Sequence, residues 1–93
     1  MNELTMSKNK NKNKLLPQYK VILHNDPVSD AVKVKERIME FLHFNEDDAK
    51  QKTMEAHTTG TSLLIVTHKE LAELYTDQFA SCSPPITVTI EPA

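Results

Sequence analysis

The chain is poor in the residues that build disulfides, phosphate loops and membrane spans. Among its 93 residues there are one cysteine, one glycine and no tryptophan. Because Cys82 stands alone, no intramolecular disulfide can form, and one glycine cannot build a glycine-rich phosphate loop. The longest apolar run, Leu63 to Val66, is too short to cross a membrane, and no signal peptide is visible. We therefore expect a cytoplasmic protein that does not associate with a membrane.

Charge is distributed unevenly along the chain, although the net charge is only −2. Residues 1–16 carry four lysines against one glutamate, whereas residues 17–93 carry seven basic and twelve acidic side chains. The Lys-Asn alternation from Lys8 to Lys14 cannot bury enough surface to fold, so we expect residues 1–18 to form a flexible basic arm. Residues 19–93 then form one domain, whose acidic character argues against binding nucleic acid.

The first half of this domain is predicted to contain one strand and two helices. Residues 19–24 alternate in the manner of a strand with one buried face, and Asn25-Asp26-Pro27 ends it. Ser29 is predicted to cap the first helix, with Asp30 in its first turn. The apolar stripe of this helix is Ala31, Val34, Ile38, Phe41 and Leu42. The second helix is predicted to start at the N-cap Asn45 and to stop at Gly60, and its inward stripe is Ala49, Thr53, Ala56 and His57.

The second half of the domain supplies two more strands and a third helix. Leu63 to Val66 is typical of a buried strand, and residues 67–70 match a capping box in which Thr67 pairs with Glu70. The third helix, ending near Ser81, is indicated by Leu71, Leu74, Tyr75, Gln78 and Phe79. Residues 86–90 alternate as a last strand. The order β-α-α-β-α-β predicts a small α+β domain, with the helices on one face of a three-stranded sheet.

Few residues favour catalysis or metal binding. Cys82 lies in a Ser-Cys-Ser-Pro-Pro loop, without a patterned base to activate it. Donor types suited to a metal are present in His24, His43, His57, His68 and Asp26, yet the spacing matches no metal motif. We therefore predict no catalytic residue, no metal and no cofactor. Taken singly, Asn25-Asp26-Pro27 is typical of a turn, and His57 of a half-buried structural histidine.

Taken together, these residues carry a resemblance to a known family. The run Tyr19-Lys20-Val21-Ile22-Leu23-His24-Asn25-Asp26, followed by Ala56-His57 and Gly60, resembles the ClpS family of adaptor proteins. The resemblance implies the fold given above, and the function of handing substrates with bulky hydrophobic N-terminal residues to a Clp AAA+ unfoldase, ClpA-like or ClpC-like. It also implies a monomer in which Asn25, Asp26 and His57 bind the substrate's α-amino group.

The chemistry of that role agrees with the residue types. A free N-terminal ammonium has three donors and one positive charge, and an Asn carbonyl, an Asp carboxylate and a neutral His nitrogen are all acceptors. The resemblance further implies that the first side chain of the substrate lies in a pocket walled by Ser29, Ala31, Val34, Thr53, Ala56 and Ile86. Ala31 and Thr53 replace methionines of the family, Ala56 replaces a valine, and Pro27 replaces a second acid. We expect a wider pocket than is usual in the family.

Docking on the unfoldase is implied less strongly than binding of the amine. Glu70 matches a docking position of the family, but Tyr75 replaces a basic residue, and the segment before Pro84 is about four residues shorter. The arm takes the place of a family extension that participates in delivery. An interaction domain that has lost amine binding is therefore an alternative, and a hydrolase a more distant one.

Overall fold

The computed structural model describes residues 16–93, so most of the predicted arm, residues 1–15, lies outside the described part of the chain. Six elements follow one another in the predicted order. They are β1 (Gln18–His24), α1 (Ala31–Leu42), α2 (Glu46–Thr59), β2 (Thr61–His68), α3 (Lys69–Ala80) and β3 (Val88–Pro92). No helix among residues 16–93 combines the length and the apolar character that a membrane crossing requires.

The three strands form one antiparallel sheet in the order β2-β1-β3, with β1 in the centre. Val21 pairs with Ile65 but Ile22 pairs with Leu63, so Leu64 is an extra residue, as in a β-bulge. Val21 and Leu23 point to the buried face of β1, as the alternation predicts. The predicted α+β fold is confirmed.

The hydrophobic core lies between this face of the sheet and the three helices. Helix α3 packs across all three strands, α2 packs on β1 and β2, and α1 packs on the other two helices. The rings of Phe41 and Phe79 meet edge to face at 5.1 Å, which favours aromatic packing. The buried apolar residues are Val21, Leu23, Val34, Ile38, Leu42, Ala49, Ala56, Leu64, Ala72, Phe79, Ile86 and Val88.

The start of α1 differs from the prediction. The N-cap is Asp30, whose Oδ1 accepts the N–H of Val32 at 2.9 Å, and not Ser29. The reason is that the N–H of Ser29 donates to the carbonyl of Asp26 at 3.0 Å, which places Ser29 in the preceding turn. The helix can start only after that turn is closed, so the prediction of Ser29 as the cap was wrong by one residue.

The prediction for β2 and the start of α3 was also wrong in part. Strand β2 extends through Thr67 and His68 because these residues pair with Tyr19 and Gln18 of β1. His68 is therefore the N-cap of α3, its Nδ1 facing the N–H of Leu71 at 3.4 Å, and the Thr67 capping box does not form. Residues 63–66 are not continuously buried either, since Leu63 and Val66 are exposed on the outer face of the sheet.

Both predicted ends of α2 are confirmed. Oδ1 of Asn45 accepts the N–H of Asp48 at 2.8 Å, and Gly60 ends the helix in the left-handed region with φ of 98°. Ala49, Thr53 and Ala56 are buried along this helix, whereas His57 is exposed. The stripe of small residues is therefore correct, but His57 lies at its edge and is not half-buried.

Candidate functional site

A cavity of about 350 Å³ lies where the end of β1, the start of α1 and the second half of α2 meet. All nine residues predicted for the amine site and its pocket line it: Asn25, Asp26, Ser29, Ala31, Val34, Thr53, Ala56, His57 and Ile86. Leu23, His24 and Pro27 complete the lining. The sequence indicated Leu23 as a residue on the buried face of β1 and His24 as a neighbouring strand residue with a metal-donor side chain, so neither was predicted to line the site.

Two hydrogen bonds hold the β1 end of the cavity. The N–H of Asn25 donates to the carbonyl of Gly60 at 2.9 Å, which ties the end of β1 to the end of α2. Oδ1 of Asp26 accepts the N–H of Val28 at 2.9 Å, which forms an Asx turn. The first bond joins the backbone that carries Asn25 to the end of the helix that carries His57, and the second shapes the turn.

Helix α2 brings His57 to the same cavity. His57 lies in the last turn of the helix, where its ring is exposed, and the ring makes no hydrogen bond to any residue in 16–93. Thr53 and Ala56 turn toward the core and form the wall beneath it. The hydroxyl of Thr53 donates to the carbonyl of Ala49 at 2.8 Å, so it is already engaged within the helix. The imidazole is thus free to contact a ligand.

The floor of the cavity is apolar. Val34 and Ile86 are buried, with 6% and 5% of their surfaces exposed, and Ala31 lies at the mouth with its small side chain exposed. The hydroxyl oxygen of Ser29 is buried and has no hydrogen-bond partner among the described residues. An apolar floor beneath a polar edge suits a ligand that has one charged end and one apolar end.

The lining carries negative charge and no lysine or arginine. Asp26 is its one carboxylate, and of its two histidines His24 is engaged, with Nε2 2.7 Å from Oγ1 of Thr89. Asn25, Asp26 and His57 together offer an amide oxygen, a carboxylate and an imidazole nitrogen. The cavity can therefore accept a small cation with three donors, and its apolar floor can take a hydrophobic group attached to that cation.

Glu70 and Tyr75, the two residues predicted for unfoldase docking, do not line a common depression. Glu70 is exposed beside a surface depression of about 420 Å³, lined by His68, Glu70, Leu71, Glu73, Leu74 and Asp77. Tyr75 is half-buried and packs against the core. Five residues along a helix correspond to a rotation of about 140°. Glu70 and Tyr75 therefore face different directions.

The histidines considered as metal donors are scattered through the fold. Among residues 16–93, no three histidine, cysteine, aspartate or glutamate side chains come close enough to share an ion. His43 lies at the end of α1 and His68 at the start of α3, and neither lines the cavity that His24 and His57 line.

Comparison with known proteins gives one consistent result. The family model described as "ATP-dependent Clp protease adaptor protein ClpS" matches residues 14–88. The ClpS adapter of Synechococcus sp. (strain CC9902) is 40% identical over 77 residues, which are 82% of this chain and 72% of that protein. The ClpS adapter of Synechococcus elongatus is 37% identical over 82 residues, covering 87% of this chain and 84% of that protein.

A solved structure shows the same similarity in three dimensions. Agrobacterium tumefaciens ClpS2 bound to L-phenylalaninamide superposes with a TM-score of 0.79 at 25% identity, covering 83% of this chain and 98% of that one. The ligand of that relative has a free α-amine beside an aromatic side chain.

Proposed function

This chain belongs to the ClpS family of ATP-dependent Clp protease adaptor proteins, and from that membership we propose a specific function. The protein binds the free α-amino group and the first side chain of substrate proteins, and delivers them to a Clp AAA+ unfoldase. It acts as an adaptor and not as an enzyme. Residues 19–93 form the adaptor domain and residues 1–18 its N-terminal arm, although Gln18, the last residue of the arm, already pairs as part of β1.

The observation that carries this proposal is the convergence of Asn25, Asp26 and His57 on one cavity. These residues lie on two different elements, the turn after β1 and the last turn of α2. Their approach depends on the bond between the N–H of Asn25 and the carbonyl of Gly60. Three acceptors around the mouth of an apolar cavity match an ammonium group that has an apolar side chain beside it.

Charge is central to the recognition of the amine. One carboxylate oxygen of Asp26 is bonded to the N–H of Val28, which leaves the other without a partner among residues 16–93. This oxygen supplies a charge-assisted acceptor for the ammonium, and such bonds contribute about 1.5–3 kcal/mol. An acetylated terminus has neither the charge nor the three donors, so the site selects a free N-terminus.

The first side chain enters the apolar part of the cavity, against Val34 and Ile86. We propose that the preferred residues are bulky and hydrophobic, since a side chain that fills an apolar cavity gains about 0.8 kcal/mol for each buried methylene. The relative bound to L-phenylalaninamide supports this choice, because its ligand combines the same two groups.

The decisive experiment compares a fluorescent peptide that begins with free Leu or Phe with its acetylated twin, by fluorescence anisotropy. We expect the free peptide to bind and the acetylated peptide to bind at least tenfold more weakly. Equal binding of both would refute recognition of the amine. Absence of binding to either would favour an interaction domain that has lost this activity, and turnover of substrate without an ATPase would indicate an enzyme.

Docking is the second part of the proposal. Glu70 and the exposed Leu74 border a depression that also contains Glu73 and Asp77, so this end of α3 combines apolar and acidic surface. We propose that it contacts a ClpA-like or ClpC-like unfoldase, with Tyr75 acting mainly by supporting the helix from beneath. Glu70→Arg should abolish delivery of a Leu-initiated substrate for proteolysis but leave peptide binding intact. Lys69→Glu, a charge reversal of the preceding residue outside the depression, is the matched control.

A further inference from the structure

A second depression continues from the first cavity across the surface between α1 and α2. Its volume is about 300 Å³. The residues that line it are Ala31, Val32, Lys35, Glu46, Asp47, Lys50, Thr53 and Met54. Ala31 and Thr53 belong to both linings, so the two spaces are neighbours separated by two small side chains. A chain that leaves the first cavity over Ala31 enters this groove without crossing a bulky residue.

The floor of the groove is unusually apolar for an exposed surface. Val32 has 58% of its surface exposed and Met54 has 51%, although both are large hydrophobic residues. The two lie on adjacent helices and line the same depression. Exposed apolar residues that gather around a depression mark a contact surface more often than single exposed ones do.

The rim of the groove carries two positive and two negative side chains, so its charges balance. Nζ of Lys35 lies 2.9 Å from a carboxylate oxygen of Glu46, so these two charges neutralise each other at one end. Asp47 and Lys50 contribute one further charge of each sign. A neutral rim favours neither a basic nor an acidic occupant, and the apolar floor therefore determines which side chain fits.

The geometry of an extended peptide indicates which residue of the substrate reaches the groove. Successive side chains of an extended chain point in opposite directions, and side chains two residues apart share a face with a separation of about 7 Å. If the first side chain enters the cavity, the second points away from the protein. The third side chain points back toward it, on the same face as the first, where the neighbouring groove shares Ala31 and Thr53 with the cavity.

We propose that the groove between Val32 and Met54 binds the third residue of the substrate and favours an apolar side chain there. This proposal rests on the proposed function, since the first residue must be anchored for the third to be placed. Met54 lies three residues before His57 in α2, about 4.5 Å along the helix axis from the residue proposed to contact the amine. Substrate choice then depends on two positions of the N-terminus and not on one.

Peptides that differ at a single position test this proposal. Leu-Ala-Leu, Leu-Ala-Ala and Leu-Leu-Ala sequences, each continued by the same labelled tail, are titrated by fluorescence anisotropy against the full chain. We expect Leu-Ala-Leu to bind about three- to tenfold more tightly than Leu-Ala-Ala, because one additional apolar side chain is buried. Leu-Leu-Ala should bind like Leu-Ala-Ala, since its second side chain faces solvent.

Two variants test whether the preference at the third residue depends on the groove or on any exposed apolar side chain. Met54→Ala should remove the preference for Leu-Ala-Leu over Leu-Ala-Ala. Val66→Ala is the matched control, because Val66 is 43% exposed but lies on β2, away from both pockets, and this variant should retain the preference. Thermal unfolding of both variants establishes that they fold.

The possible outcomes also distinguish this proposal from the proposed function. If free-amine peptides bind but the third residue has no effect, or the second residue has the larger effect, the groove proposal is overturned and recognition of the amine stands. If free and acetylated Leu-Ala-Leu bind equally, both proposals fail. If Met54→Ala still prefers Leu-Ala-Leu over Leu-Ala-Ala, the third residue binds elsewhere, and its assignment to the groove is overturned.

Discussion

Oδ1 of Asp26 accepts the backbone N–H of Val28 at 2.9 Å, so the carboxylate that lines the cavity also closes the turn that leads into α1. One oxygen closes the turn, and the other is left for the proposed contact with the amine. Removal of the whole side chain would therefore alter the fold and the site at once. A substitution that retains the first oxygen and removes only the charge separates the two roles.

Asp26→Asn is that substitution. The Asn side-chain oxygen can still accept from Val28, because Asn forms the same Asx turn. We expect affinity for a free-amine peptide to fall on the order of tenfold or more, since a charge-assisted bond is lost, while the thermal midpoint stays close to wild type. Asp26→Ala should lower both quantities. Asp26→Asn that binds as tightly as wild type would contradict a role for the charge.

Gly60 provides a test of how the fold supports the site. Its φ of 98° lies in the left-handed region, and a Cβ built there would meet no atom within 4 Å. The cost of Gly60→Ala is therefore conformational and not steric, about 1–2 kcal/mol of unfolding free energy. Urea denaturation measures this cost. Because the carbonyl of Gly60 accepts from Asn25, we also expect weaker peptide binding.

Gly60→Asn is the control for this experiment. Asn visits the left-handed region more readily than Ala, so the loss of stability should be smaller than for Gly60→Ala. Equal stability of wild type and Gly60→Ala would mean that the backbone adopts another conformation at this position. A loss of stability without any loss of binding would show that the bond to Asn25 does not position the amine site.

Local patterns were sufficient to predict much of this fold. The alternation from Tyr19 to His24 predicted β1, and Asn45 and Gly60 predicted both ends of α2, because capping depends on residues close in sequence. The errors arose at positions whose structure depends on contacts with residues far away in the sequence. Strand β2 continues to His68 because Gln18 and Tyr19 pair with its end, and no local signal reports that pairing.

In the candidate site too, the sequence predicted some features, and packing between distant parts of the chain decided the others. Asn25, Asp26 and His57 were each ambiguous as single residues, and it was their resemblance to a family pattern that placed them in one site. The exposure of His57 could not be predicted, since a residue at the edge of a helical stripe is buried or exposed according to how the helix rotates on the sheet. Here the small residues Ala49, Thr53 and Ala56 turn inward, and His57 faces outward.

The small residues at the mouth of the cavity predict a broad choice of first residue. Ala31 is exposed and Thr53 is the buried wall beneath it, so the space between them is wide. We expect peptides that begin with Leu and with Ile to differ by less than about tenfold in affinity. Ala31→Met should increase this difference about tenfold, because a narrower apolar pocket discriminates side-chain shape more strongly.

The control for pocket width is a methionine placed elsewhere. Val66→Met adds the same side chain to an exposed position on β2, so the ratio of Leu to Ile affinity should not change. If the wild-type protein discriminates between Leu and Ile as strongly as the Ala31→Met variant does, the pocket is already narrow despite its small residues.

The ion pair between Lys35 and Glu46 predicts a small dependence of stability on pH. The hydrogen bond from Lys35 lowers the pKa of Glu46, and the same bond raises the pKa of Lys35. The carboxyl therefore stabilises the fold above its ordinary pKa, and this contribution is lost as the pH falls through the lowered value. The amine stabilises the fold below its ordinary pKa, and this contribution is lost as the pH rises through the raised value.

Lys35→Met should accordingly lower the thermal midpoint slightly near neutral pH and less at about pH 3. The effect should also shrink at high salt, because 67% of the Glu46 side chain is exposed and the pair is screened. If Lys35→Met lowers the thermal midpoint by the same amount at acid pH as near neutral pH, the loss comes from the packing of the Lys35 stem and not from its charge. Thermal unfolding at several pH values and salt concentrations distinguishes the two causes.

Recognition of an ammonium by His57 requires the imidazole to be neutral, since only then does a ring nitrogen accept a hydrogen bond. A protonated ring would donate only, and would repel the bound cation. We expect His57→Ala to lower affinity for a free-amine peptide about tenfold, as measured by fluorescence anisotropy, because the ammonium loses one of its acceptors.

Two glutamine variants assign this effect to one residue. His57→Gln retains an acceptor in its side-chain amide, so it should lose less affinity than His57→Ala. His24→Gln should bind like the wild-type protein, because His24 lines the same cavity but is already engaged with Thr89. If His24→Gln lowers the affinity and His57→Ala does not, the amine is held by Asn25 and Asp26 without His57.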